Sequence, residues 1–528
     1  MGKIAKYLNQ LTVGNIFDNP EVLEAYSTDR SALKIKPKFV AFPESTEDIQ
    51  KLVKFFDQLA TRNIKVSVTP RGSGMSKGGE SLTNGIIIST EKLNKLLEID
   101  IRERLVRVQS GITLKELNTA LSVSGLTIPI EGHDEETIGG LISNYPKDEI
   151  SSKYGGTLKY VERIEVILAN GDCLQTDRLK KYAVAKVAAE KTLTGSIYCK
   201  TSKLLKNNPE LLEKISNQKN SLSGYPLITK IAKRETLDLM PLFFGAEGTL
   251  GIISEIILKV VPLKNRPARV VATFKDVATA LEYAMQIKTL NPRKISFYDL
   301  KIIREARESG KNLDGVIRKL EDGFVVFACF DERANMAIRR IMALKERLPR
   351  NVKFIFESPE NQTILSEFEN SLANYISYVK NAERVPILTD FYLPAYNLKN
   401  FLNDLEILKT KLSLDLALYG NLGTEIFSLR PKFNLEESDF NKKATTFLRA
   451  GAYVINRHGG ELTGGTPEGR LKAVVTNTEM PEDEEKLYEE IKQIFDPNGI
   501  LNPDVKLGAN SKFTLTHFRN TNSPRIML

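Results

Sequence analysis

Three glycine-bearing segments, Pro70-Arg71-Gly72-Ser73-Gly74-Met75-Ser76, Thr137-Ile138-Gly139-Gly140 and Gly245-Ala246-Glu247-Gly248-Thr249-Leu250-Gly251, each lie beside a strand-like run. Glycine permits positive φ and lets a ligand approach the peptide plane, so successive main-chain N–H groups in such loops can converge on phosphate oxygens. The first segment follows Val66-Ser67-Val68-Thr69 and precedes Gly85-Ile86-Ile87-Ile88, so it joins strand to strand. Rossmann and Walker loops instead open a helix directly after their glycines. The spacing of Gly72, Gly74 and Gly78 fits neither motif, and no Gly-Lys-Ser/Thr follows. Singly each segment reads as an ordinary turn; together they predict a loop-built pocket for a dinucleotide.

Between the segments, strand alternates with helix. Ile49, Leu52, Val53, Phe56 and Leu59 recur at helical spacing behind Ser45 and Asp48, which stand where a capping box would open. Thr113 with Glu116 repeats the device before Leu114, Leu117 and Leu121. The pattern predicts α/β layers within an α+β chain. At 528 residues and 41% apolar content the chain has room for two or three globular domains. Its formal charge of +9 arises from 75 basic residues interspersed with 66 acidic ones, and no nucleic-acid recognition motif accompanies it, so no nucleic-acid partner is expected. Cys173, Cys199 and Cys329 form no C-x-x-C pair and fit reduced thiols. Residues 1–17 are mildly amphipathic without a continuous apolar stretch, which predicts neither signal peptide nor transmembrane segment, and hence a cytoplasmic protein.

Read in order, the segments resemble the FAD-binding domain of the p-cresol methylhydroxylase and vanillyl-alcohol oxidase superfamily, with its Pro-x-Gly-Gly-Gly-x-Ser, Thr-Ile-Gly-Gly and Gly-x-Glu-Gly-x-Leu-Gly motifs. Val108-Gln109-Ser110-Gly111-Ile112, Lys153-Tyr154-Gly155 and Val166-Ile167-Leu168-Ala169-Asn170-Gly171-Asp172 resemble intervening family passages. Phe495-Asp496-Pro497-Asn498-Gly499-Ile500-Leu501-Asn502-Pro503 is similar to the closing element of the D-lactate and glycolate dehydrogenase-like branch. The resemblance implies a two-subdomain FAD-binding domain at residues 37–264 with an insertion at about 179–234, preceded by an N-terminal segment at 1–36. It also implies an α/β cap, or substrate, domain at 265–480 and a C-terminal helix and tail at 481–528 that return to the flavin domain. Pro70, Arg71, Gly72, Ser73, Gly74, Met75 and Ser76 would cradle the FAD pyrophosphate. Thr137, Ile138, Gly139, Gly140, Ser143 and Asn144 would flank pyrophosphate and ribityl chain. Gly248, Gly251, Ile252 and Ile253 would run beside the adenosine or ribityl portion, with Tyr154, Gly155 and Asn502 as further contacts. Members that bind flavin covalently often have histidine after the loop glycines; Met75 stands there, which implies non-covalent FAD.

The chain departs from that branch where its metal and base site would lie. In place of G-H-x-G-D-G-N-x-H and G-E-H-G-D-G it reads Gly420-Asn421-Leu422-Gly423-Thr424-Glu425-Ile426-Phe427-Ser428 and Gly464-Gly465-Thr466-Pro467-Glu468-Gly469-Arg470. Every motif histidine is absent, and imidazole is the side chain that both ligates a divalent metal and takes a proton near neutrality. No metal is therefore expected. His133, His458 and His517 remain, none within those motifs. Glu425 and Glu468 are candidate bases and Arg470 or Arg430 candidate anion anchors, while Asp390 and Tyr392 lie in a strand similar to one of the branch. The expectation is an FAD-dependent oxidoreductase that takes a hydride from a small hydroxyl-bearing, possibly anionic substrate and passes electrons to oxygen, a quinone or a soluble carrier. The alternative is an FAD-retaining binding or partner protein with a decayed dehydrogenase site.

Overall fold

The computed structural model describes residues 2–263, 267–308, 323–331, 334–346, 352–358, 360, 362–377, 384–434 and 437–519. The expected boundary at 264/265 and the end of the tail lie outside them.

Three sheets organise the chain. The first, in the order Asn15–Phe17, Phe39–Phe42, Ile86–Ser89, Val68–Arg71, is parallel except for its antiparallel first strand. The N-terminal segment thus belongs to the sheet itself. Ile86–Ser89 is buried on both faces, as a parallel strand with helices on either side must be. Helix Thr46–Ala60 covers one face with Ile49, Leu52, Val53 and Phe56. Its N-cap Ser45 accepts from the Asp48 N–H at 3.2 Å. The Asp48 carboxylate, however, does not return to Ser45; it accepts from the main chain of Val13, Gly14 and Glu44, so half of the expected capping box clamps the N-terminal segment to this helix. At Thr113 both halves of the box form, opening helix Leu114–Ser122.

The second sheet is antiparallel, in the order Leu96–Asp100, Leu105–Gln109, Ile252–Lys259, Val161–Ile167, Cys173–Gln175. One core lies between it and the first sheet, through Ile167, Ala169 and Ile252. Its outer face packs on helix Leu114–Ser122 and on the insertion. The insertion's helical run stops at Ala188, and Thr192 caps a new helix, Leu193–Asn207, by accepting from Gly195 N–H. The C-terminal helix Glu482–Phe495 buries Leu487, Tyr488, Ile491 and Phe495 in this same core. Leu501 then bridges Val68 in parallel, extending the first sheet at its open edge.

The third sheet has seven antiparallel strands, Lys353–Phe356, Ala268–Phe274, Phe324–Phe330, Lys294–Asp299, Asp415–Asn421, Ile426–Lys432 and Leu388–Tyr392 in spatial order. Helices Val277–Lys288, Leu398–Leu412 and Phe440–Arg457 bury one face, with Ile295, Phe297, Leu418, Phe427 and Leu429 in the core. On the other face, helices Leu300–Glu308 and Gln362–Ser377 cover Val325, Phe327 and Ala417. The rest of that face looks onto the flavin-domain loops. No helix among the described residues is long and apolar enough to cross a membrane.

Gly224 joins insertion to C-terminal helix. It has φ +62°, and a Cβ there would stand 2.1 Å from the Tyr488 ring. Gly224→Ala is expected to lower the urea midpoint, followed by circular dichroism, by the equivalent of about 2–4 kcal/mol. An unchanged midpoint would mean that Tyr488 does not hold this contact.

Candidate functional site

The cofactor-sized cleft opens where the two flavin-domain sheets meet. The loop leaving Val68–Arg71, the end of Leu105–Gln109, the start of Ile252–Lys259 and helix Ile138–Asn144 converge there. All of residues 70–76 line the cleft, with Thr137, Gly139, Gly140, Ser143, Asn144, Gly248, Ile252 and Ile253. The space between atoms, mouth included, is about 830 Å³, within the range of small-molecule and cofactor sites. Close backbone approach requires glycine: a Cβ on Gly72 would lie 2.2 Å from Thr137 Oγ1, and one on Gly248, at φ +71°, 2.3 Å from the Pro70 ring.

The segments contribute unequally. Among the described residues, no protein acceptor takes the main-chain N–H of Gly72, Ser73, Gly74 or Met75, so this loop offers a run of free donors. The second segment is a helix start rather than a bend: Thr137 caps it by accepting from Gly140 N–H, while Ile138 and Gly139 N–H donate to Ile112 and Ser110 carbonyls. Those amides are used, and the segment supplies wall. Arg71 turns its guanidinium onto Tyr26 and Thr28 carbonyls and over the Tyr26 ring, binding the N-terminal segment to the cleft rim.

Five sequence-predicted contacts do not line the cleft. Ile138 is buried in the core. A Cβ at Gly251 would meet Val166, a strand-packing contact. Tyr154 donates to Asp331 of the cap, and Gly155 follows it. Asn502 sits behind the cleft with its amide engaged: Oδ1 accepts from Thr69 Oγ1, and Nδ2 donates to the Glu80 and Glu247 carbonyls. Conversely, Ser110, Glu80, Glu136 and Glu247 line the cleft without having been singled out. Ser110 and Glu247 fall inside motifs legible in the chain; Glu80 and Glu136 carry no such signal.

Met75, Glu80, Glu136, Asn144, Pro146 and Glu247 also line a second cavity, between the flavin loops and the open half of the seven-stranded sheet, which contains about 1720 Å³ of space, mouth included. At one end Lys77 Nζ lies 3.2 Å from both Asp390 oxygens. Burial works to raise the Asp390 pKa, but Lys77 and Lys472 outweigh it and hold the carboxyl below its usual range. Lys472 donates to the Leu462 and Thr466 carbonyls and to Thr466 Oγ1, and burial brings its ammonium down to about 8. Arg430 lies 5.8 Å above the Tyr419 ring. At the other end Lys294 pairs with Glu131, Glu149 and Glu369 at 2.8, 3.1 and 2.6 Å. Beside them burial pushes the Asp148 carboxyl up to about 7, against a lowering hydrogen bond from Glu131 N–H.

Of the residues read from the sequence as candidate bases and anion anchors, Arg430 lines the second cavity, while Glu425, Glu468 and Arg470 line neither. Glu468 is fully buried, 2.6 Å from Lys506 Nζ and accepting from Gly224 N–H. Arg470 Nε donates to the Leu82 carbonyl, and burial lowers its guanidinium to about 10. Glu425, at φ +61° in a tight turn, accepts from Tyr392 Oη. Glu425 is carried away from the cavity by the turn between Asp415–Asn421 and Ile426–Lys432, and Glu468 and Arg470, in the loop after Gly464, are held in the interior by Lys506 and the Leu82 carbonyl, while Asn421, Arg430 and Lys472 face the cavity. His458 pairs with Asp404 and His517 with the Phe513 carbonyl; His133 lies half-buried at the cavity mouth. Among the described residues no group of three or more His, Cys, Asp or Glu side chains is placed to hold a metal ion.

Family comparison joins both halves of this arrangement. Residues 37–177 match the FAD binding domain family and residues 264–505 the C-terminal domain of FAD linked oxidases. The chain thus carries an FAD binding domain followed by the C-terminal domain of the FAD linked oxidase family. FAD is the cofactor of that family, and the free amides of residues 72–75 suit its diphosphate. The chain is 25% identical over 503 residues to D-2-hydroxyglutarate dehydrogenase of Pseudomonas putida, covering 90% of this chain and 49% of that protein. It thus spans about half the length of that relative. With D-lactate dehydrogenase of Anaerostipes hadrus it shares 24% identity, covering 92% of each. The p-cresol methylhydroxylase structure with substrate bound superposes at a TM-score of 0.68 and 13% identity over 95% of both chains, a likeness of PCMH-type fold.

Two measurements follow. Gly72→Val should drive a branched side chain into Thr137 and reduce FAD retention, read as visible flavin absorbance per protein, by roughly ten-fold or more; full retention would detach this loop from the cofactor. For Asp148, the unfolded carboxyl titrates near 3.8 and the folded one near 7. The folded state therefore binds the extra proton between those values, and stability falls as pH rises from about 4 to about 7, then levels. Asp148→Asn keeps an acceptor for Glu131 N–H without the charge. It should be neutral near pH 4 and stabilising by about 1–4 kcal/mol near pH 8; equal effects at both pH values would contradict the burial.

Proposed function

We propose that this chain is an FAD-dependent oxidoreductase whose substrate, a small hydroxyl-bearing anion, is oxidised in the inter-domain cavity. The observation that carries the reading is the shared wall: six residues line both the cofactor cleft and the cavity, so a molecule in one abuts a molecule in the other. FAD, held without a covalent bond by residues 70–76 and the walls at 137–144 and 248–253, supplies when bound the two-electron acceptance that hydroxyl oxidation needs.

The protein's part is to bind, orient and take the proton. Among the acidic groups that also line the cavity, Lys77, Lys472 and Arg430 supply cationic donors to which a carboxylate or another anionic group can bind. Asp148, poised near neutrality, accepts the proton of the substrate hydroxyl. Its place in the lining of the cavity supports that role. The relatives are named for D-2-hydroxyglutarate and D-lactate, and a further one, from Bacillus subtilis, for glycolate; all are hydroxyl-bearing carboxylates.

The test is anaerobic bleaching of the FAD-loaded protein by a panel of hydroxy acids, neutral alcohols and sugars. At least one hydroxy acid should bleach it, and Arg430→Gln should raise the half-saturating concentration by about ten-fold or more with little change in the rate at saturation. Flavin that only dithionite reduces would overturn this reading in favour of an FAD-retaining binding protein.

A further inference from the structure

The stretch that resembles the branch's first metal motif, beginning at Gly420, forms the end of Asp415–Asn421 and the turn into Ile426–Lys432. Asn421 stands where the motif has its first histidine. Its side chain is 3% exposed, and its Oδ1 accepts from Gly423 N–H at 2.8 Å, Thr424 N–H at 2.8 Å and Thr424 Oγ1 at 3.2 Å. Two of these donors are main-chain amides, whose polarity is not in question, so the amide orientation is determined: oxygen into the turn, nitrogen outward.

That nitrogen lies on the cavity wall, buried, with no hydrogen-bond partner among the described residues. Two residues earlier, on the same face of the strand, Tyr419 is 9% exposed and its Oη is likewise buried without a partner there. Strand pairing places Ser296 and Ile426 opposite Asn421, and Tyr298 and Ser428 opposite Tyr419. The Ser296 and Ser428 hydroxyls are committed: Ser296 to Glu149, and Ser428 to Asp390, which pairs with Lys77. A buried donor left unmade is costly, so two on one wall mark a place where a bound molecule completes the bonding.

We propose that Asn421 and Tyr419 form a hydrogen-bonding subsite that binds a carboxylate-type acceptor oxygen of the ligand directly, with no metal ion between. The wall does not fit a metal. Asn421 turns its nitrogen and not its oxygen to the cavity, so its amide offers a cation no ligating atom, and among the described residues no three His, Cys, Asp or Glu side chains are placed to hold a metal ion. The inference rests on the cavity being the substrate site, as proposed above, but it is read by binding rather than turnover.

The probe is oxalate, a dicarboxylate with no hydroxyl to oxidise, titrated calorimetrically into the FAD-loaded protein with and without EDTA. Wild type should bind it equally in both conditions. Asn421→Asp retains an oxygen for the Gly423 and Thr424 amides but turns the outward donor into an acceptor, and should weaken binding by about 10- to 100-fold with flavin content and melting temperature near wild type. Tyr419→Phe, which changes no charge, should weaken it by about three- to ten-fold and keeps the subsite testable if Asn421→Asp does not fold. Binding abolished by EDTA, absent from wild type, or unchanged in the folded variants would overturn the proposal. If oxalate binds as expected but no panel compound bleaches the flavin, the subsite stands and the redox reading falls.

Discussion

The side-chain amide of Asn502 closes the cofactor cleft from behind. It reaches Thr69 within the parallel strand Val68–Arg71, Glu80 in the loop that follows it and Glu247 in the third glycine segment, and all three bonds are buried. Thr69 lies 433 residues away in sequence. A neutral amide suits the position because it donates to two carbonyls and accepts from a hydroxyl at once without bringing a charge into the interior. Leu501, bridged to Val68, sets the register that delivers it. The flavin domain is therefore completed only by the last part of the chain, after the cap has been built.

Buried charge is managed differently in the two parts. Around the cleft it is neutralised in place: Lys506 stands 2.6 Å from Glu468 and 3.7 Å from Glu247, all of them fully or almost fully buried. Removing one member of such a group leaves an uncompensated charge, which makes these residues poor candidates for proton transfer and good ones for joining segments. In the cavity Lys77 and Lys294 are likewise paired with carboxylates, but among the described residues Lys472 donates only to carbonyl and hydroxyl oxygens, and burial pushes the Asp148 carboxyl up to about 7. Incomplete neutralisation there leaves capacity for a ligand.

Much of the architecture was legible. Thr113 and Glu116 announce a helix that forms as read, and the glycine segments at 72–74, 139–140 and 248 do meet at one cleft. Asp48 shows the limit of local reading: the spacing of a capping box was present, but its carboxylate found stronger use on the amides of Val13, Gly14 and Glu44. Glu425, Glu468 and Arg470 were chosen because they are ionisable and fall in altered motifs. Asn421 in the first stretch and Lys472, just beyond the second, went unchosen, since a neutral amide and a lysine carry no motif signal.

The sequence by itself determined which segments turn, where helices are capped, that the chain carries an FAD-binding domain, and that histidines are missing from its metal motifs. These are properties of residue type and short spacing, set by backbone freedom and local hydrogen bonding. Tertiary structure alone decided which side chains of the altered motifs look into the cavity. A strand turns successive side chains to opposite faces, so facing is settled by register against Lys294–Asp299 and by the turn that holds Asn421 Oδ1. It also decided which charges are neutralised, because Lys506 meets Glu468, and Lys77 meets Asp390, only through packing between segments far apart in the chain.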